Sequence, residues 1–117
     1  MLSLARRIAA AAKSKKASKT VILDMRRLTS LCDYFVITSA ASHRQVNAIA
    51  RAIEENLAKN GIKSLSEVPA ADESGWVVLD YGSVVAHVFH KPMREFYSLE
   101  RLWADAKKVR AAARRAP

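Results

Sequence analysis

The sequence is short of several things, and each shortage closes off a class of protein. It has one cysteine, Cys32, in 117 residues. A single thiol forms no internal disulfide and no thiolate metal cluster. The chain therefore suits a reducing compartment, and Cys32 reads as a small buried or half-buried hydrophobe. There are three glycines, Gly61, Gly75 and Gly82, and they stand far apart. A phosphate-cradling loop needs several within a few residues, so no such loop is present. No apolar run approaches the roughly 18–20 residues that cross a bilayer. His87 and His90 stand three apart, which on a strand places them on opposite faces rather than around one metal. No serine sits in a nucleophile elbow. Two-metal phosphoryl chemistry needs converging carboxylates, whereas Asp33 and Asp80 are single acids in separate strands that read as strand-end or turn acceptors. Basic and aromatic residues are not interleaved on one strand face, so the stacking platform of a general RNA-binding module is missing.

What is present is the composition of one folded domain spanning residues 1–117. Half the residues are hydrophobic and 26% are charged, enough for a single modest core. The net charge of +9 is unevenly placed. Residues 1–27 carry eight Lys or Arg against Asp24, and residues 101–117 carry six against Asp105. Residues 28–100 carry six basic and nine acidic side chains. A slightly acidic body with basic ends is drawn to a polyanion without using its main face for the purpose. Met1–Thr20 has the Ala, Ser, Lys and Arg content of a transit peptide. Yet Leu4, Ile8 and Ala11 or Ala12 recur at helical spacing, which predicts a docked, basic first helix.

Val21–Met25 reads as a first strand. Asp33–Ser39, with its continuous run Tyr34-Phe35-Val36-Ile37, reads as a strand buried on both faces. Ser42 and Gln45 form a capping box. Val46, Ile49, Ala50, Ile53 and Leu57 then make one apolar stripe, opposite Arg44, Asn47, Arg51, Glu55 and Lys59, and Gly61 closes the helix. Ile62–Val68 reads as a weak strand and Pro69–Gly75 as a loop. Trp76–Leu79 and Val84–Phe89 form a hairpin about the turn Asp80-Tyr81-Gly82-Ser83. Pro92 opens a last helix whose period runs through Phe96, Leu99, Leu102, Trp103, Ala106 and Val109, with a basic tail from about Lys107 continuing helical. The expected order is α-β-β-α-β-β-β-α, an α/β (α+β) fold with a mixed β-sheet covered by helices.

The hairpin is the strongest candidate for a binding surface. Trp76, Val78 and Asp80 point one way, and Val77, Leu79 and Tyr81 the other; Val85, His87 and Phe89 share a face on the return strand. One face must cover the core. The other would show aromatics and few charges, as the centre of a protein interface does; composition equally allows Trp76 and Phe89 to be core residues.

Three runs carry a wider resemblance: DYFVITSAASHRQVNAIARAIEENL from Asp33 to Leu57, WVVLDYGSVVAHVF from Trp76 to Phe89, and REFYSLERLWADA from Arg94 to Ala106. In this order and spacing they closely resemble the ribosomal silencing factor, or Iojap, family, from about Ile8 to Lys108. The resemblance implies a nucleotidyltransferase-like sheet without catalytic carboxylates, and binding rather than catalysis. It implies a cytoplasmic protein without cofactor or metal that docks on large-subunit ribosomal protein fourteen and sterically blocks joining of the small subunit when nutrients are short. Ribosomal RNA would be a secondary contact through the basic ends, and pairing with a second copy is open. The implied partner-binding residues are Trp76, Asp80, Tyr81, His87, Phe89, Arg94 and Tyr97; Leu99, Glu100 and Trp103 also match and serve packing equally well. The chain departs from the family pattern at Ala40 and Val68, where Gly is usual, and at Ser83, where Asp is usual. A nucleotidyltransferase-type enzyme or a general RNA-binding module are the alternative readings.

Overall fold

The structure is a computed structural model, described over residues 2–65 and 75–92 and, for the backbone alone, 107–109. Helix α1 (Leu2–Ser14) is followed by strands β1 (Ser18–Asp24) and β2 (Tyr34–Ala40), helix α2 (His43–Ala58), the hairpin strands β3 (Trp76–Asp80) and β4 (Val84–His90), and a short β5 (Lys107–Val109). The strands form one sheet in the order β3-β4-β2-β1-β5. The central pair β2–β4 is parallel, and the other pairings are antiparallel. A parallel pair needs a crossover, and α2 supplies it.

Both helices cover one face. The stripe Val46, Ile49, Ala50, Ile53 and Leu57 is buried as its spacing predicts, and Ala5, Ile8, Ala9 and Ala12 of α1 pack with it. They meet alternate residues of the strands: Ile22, Val36, Val77, Leu79, Ala86 and Val88. The small alanines of α1 let it lie close to its neighbours without leaving voids. The opposite face holds a second cluster of Leu23, Met25, Cys32, Ile37 and Phe89, flanked by Val21, Phe35, Trp76 and Val85. Strand β2 is therefore buried on both sides, which explains its unbroken apolar run.

The helix ends follow local chemistry. Ser42 Oγ accepts from Gln45 N–H at 3.1 Å, and Gln45 Oε1 accepts from Ala41 N–H at 2.7 Å. Gln45 Nε2 also donates to the carbonyls of Lys15 and Lys16, each at 3.1 Å. One side chain thus caps α2 and fastens it to the exit of α1. At the other end Gly61 takes φ 75°. Gly61 N–H bonds Ala58 O and Ile62 N–H bonds Leu57 O, the paired bonds of a Schellman motif.

Two expectations are corrected. The basic segment expected to continue helical past Lys107 instead pairs as β5 with β1, Ile22 opposite Val109 and Asp24 opposite Lys107. Its partner strand would otherwise present unpaired N–H and C=O groups, and satisfying them outweighs a weak helical period. The expected strand from Ile62 is not formed over Ile62–Leu65. Ile62 is drawn into the helix-side core. Leu65 N–H makes a single bond, 2.7 Å, to Asp80 O instead of a ladder. Lys91 and Pro92 take helical backbone, and the expected helix beyond them lies outside the described residues, as does Ser66–Val68.

Candidate functional site

The hairpin register places Trp76 opposite Phe89, Val78 opposite His87 and Asp80 opposite Val85. These six side chains share the face away from the helices. Their neighbours Val77, Leu79 and Val88 point into the helix-side core. At the β3 edge this face is open: Val78 is 36% exposed and Trp76 is half-buried. Towards β2 and β1 it closes, with Phe89 and Ile37 fully buried.

Aromatic rings order the centre of the face. Trp76 stacks on Phe89 with centroids 5.0 Å apart, and Phe35 meets the His87 ring edge-on at 4.6 Å. Trp76 Nε1–H donates to His87 Nδ1 at 3.2 Å. The imidazole must then carry its own proton on Nε2, where no acceptor among the described residues lies within reach. Burial pushes the His87 pKa down to about 4, so the ring is neutral at pH 7 and the face carries no charge at its centre.

The other sequence-predicted residues play different parts. Asp80 Oδ1 accepts from Gly82 N–H at 2.8 Å, which fixes the turn where Gly82 takes φ 81°. Tyr81 lies on the helix side in the main core. Its hydroxyl is buried without a partner among the described residues, and its pKa is pushed up to about 12, chiefly by burial and then by Glu54. Phe89 lies behind Trp76 as its support. Trp76 and His87 are thus brought together, Phe89 backs them, Asp80 sits at the end of the same strand, and Tyr81 faces away. Arg94 and Tyr97 lie outside the described residues. Val78, which alternation already places beside Trp76 and Asp80, and Phe35 also belong to the face, although neither is among the implied contact residues.

Asp33 and Asp80 approach the same end of the sheet. Both raise the Cys32 thiol pKa, after burial, which is the larger cause. Asp33 N–H also bonds Ser83 O at 2.7 Å. Among the described residues no three His, Cys, Asp or Glu side chains gather as metal ligands. Among the same residues no helix is long and apolar enough to cross a membrane.

A family model described as "Ribosomal silencing factor during starvation" matches residues 1–117. The chain belongs to the ribosomal silencing factor family. It is 45% identical over 98 residues to the ribosomal silencing factor of Bacillus subtilis strain 168, covering 84% of this chain and 82% of that one. Solved structures agree in fold. A Bacillus halodurans protein superposes with a TM-score of 0.80 at 34% identity, covering 94% of this chain and 99% of the other. One from Chromobacterium violaceum gives 0.82 at 25% identity, over 97% and 88%. Iojap proteins of chloroplasts are also similar, that of Zea mays at 36% identity over 107 residues, 90% of this chain and 45% of the maize protein. Membership of the family makes this a protein of ribosome silencing, and its α+β sheet is the family's.

Proposed function

We propose that the chain docks on the large ribosomal subunit through the sheet face opposite its helices, against ribosomal protein fourteen, and so keeps the small subunit from joining. Trp76 and Val78 form the contact, with the buried His87 ring behind them. Asp80 and Phe89 hold its shape, Tyr81 anchors the turn from the core side, and Arg94 and Tyr97 extend the contact along the chain. The observation that carries this is Val78, an exposed apolar residue on an edge strand, set beside half-buried Trp76 and opposite a neutral His87. An aromatic, charge-poor centre is what protein interfaces use. Membership of the silencing factor family supports the ribosome as the target and the cytoplasm as the setting. Blocking by volume requires occupancy and no chemical step, so potency follows affinity and concentration.

The test is co-sedimentation with isolated large subunits, comparing wild type, Trp76→Ala and Val78→Asp. Val78 is exposed, so its variant retains the fold while placing a charge in the contact. Both variants are expected to lose binding by at least about tenfold, as hot-spot losses of ~2 kcal/mol or more imply. Undiminished binding by folded variants moves the contact elsewhere. Wild type that stays in the supernatant removes the proposal.

A further inference from the structure

On the far side of the molecule, the outer face of α2 and the exit of α1 enclose an open cleft of about 570 Å³. Its walls are Lys15, Arg44, Asn47 and Arg51, with Ala48 and Ala52 as its floor and Glu55 at one end. The three basic side chains are exposed, and among the described residues none of them is in an ion pair or side-chain hydrogen bond. Arg44, Ala48, Arg51 and Glu55 follow one another at helical spacing along a single stripe of α2. About 10 Å of helix axis separates the two arginines. Lys15 is held beside that stripe by the Gln45 bonds to the Lys15 and Lys16 carbonyls. Three cations against one carboxylate leave the cleft electropositive; Arg44 and Arg51 come from residues 28–100, which as a whole are slightly acidic, and Lys15 from the basic N-terminal stretch. The charge is gathered locally where the end of α1 meets the outer face of α2.

We infer that this cleft binds the phosphate backbone of RNA, and that the chain is gripped on two opposite sides at once, by protein at the hairpin face and by RNA at α2. Arg forks and a Lys ammonium suit phosphate oxygens. Among the described residues no aromatic ring lines the cleft, so they offer no platform for stacking a base, and recognition rests on backbone charge and shape. The alanine floor leaves room for a sugar-phosphate strand to lie along the helix. RNA as the partner rests on the ribosome-docking proposal; the cationic cleft stands without it. The two faces lie on opposite sides of the sheet, so the second contact adds to the first without competing for space.

The test uses a fluorescein-labelled RNA duplex and the full chain, with binding followed by anisotropy as salt rises from about 50 to about 200 mM. The variants are Arg44→Ala/Arg51→Ala and, as a charge-matched control, Lys59→Ala/Lys63→Ala, whose side chains do not line the cleft. The double arginine variant is expected to lose at least tenfold in affinity at the upper salt. It should also flatten the salt slope by roughly 1.4–1.8, two phosphate contacts' worth. The control is expected to keep the wild-type slope. Equal losses in both variants would reduce the cleft to general charge attraction and overturn the site, as would unchanged binding in the arginine variant or no binding by wild type. Co-sedimentation with large subunits is read in parallel. Loss of pelleting by wild type with intact, cleft-dependent RNA binding would defeat the ribosome-docking proposal and leave the cleft standing.

Discussion

His87 makes the stability of this fold depend on pH in a calculable way. Its folded pKa is about 4 against an ordinary 6.5, because burial disfavours the charged ring. A depressed folded pKa means that the unfolded chain binds the proton first as pH falls. The stabilisation is complete above about pH 6.5, declines between that value and about 4, and is gone below it. One pH unit inside this window is worth about 1.4 kcal/mol. Between about pH 7.5 and about pH 5 the loss from this single ring is ~2 kcal/mol. Carboxylates contribute to the same descent, so the informative quantity is a difference. Urea unfolding of wild type and His87→Leu at both pH values should show wild type losing about 2 kcal/mol more than the variant. If the two lose the same amount, the ring is not held neutral by burial, and an uncharged centre for the face would have to be abandoned.

Other perturbations have expected sizes. Ser42→Ala removes one cap bond and should cost about 1 kcal/mol. Gln45→Ala should cost more, about 1–3 kcal/mol, and should speed amide exchange in the last turn of α1, because it also releases the Lys15 and Lys16 carbonyls. Gly82→Ala places a Cβ at φ 81° and should cost about 1–2 kcal/mol in thermal or urea unfolding, although the nearest side-chain atom, Leu65 Cδ1, is a tolerable 3.4 Å away. Removing residues 107–117 uncovers the outer edge of β1. Light scattering should then show concentration-dependent association beyond that of wild type, and an unchanged mass would mean that β5 guards nothing.

Much of this architecture was readable from residue order. The α2 stripe, its Ser42–Gln45 cap and its Gly61 exit are local patterns, and each is fixed within about one helical turn. The two-sided burial of β2 was visible in its unbroken apolar run, and the Trp76–Phe89 hairpin in its turn chemistry. Strand β5 was not visible. Lys107-Lys108-Val109 has no alternation, and only the open edge of β1, distant in sequence, makes it extended. The division of hairpin residues between faces was half legible. Alternation separated Trp76 from Tyr81, but which set the helices cover depends on register, and a shift of one residue inverts it. Val78 was already grouped with Trp76 by alternation, whereas the quiet partner Phe35 emerged only once β2, β3 and β4 were set side by side.

The pairing of Ile22 with Val109 also sets an order in time. The β1–β2 and β3–β4 pairs join neighbouring strands of the sequence and close early. The β1–β5 pair spans about three quarters of the chain, from Ile22 to Val109, and carries the greatest loop-closure entropy of these pairs. During synthesis β1 exists long before its outer partner does, so a nascent sheet has one flank unsealed until the last strand arrives. That interval, governed by the rate of elongation, is when the chain is most exposed to pairing with a neighbour.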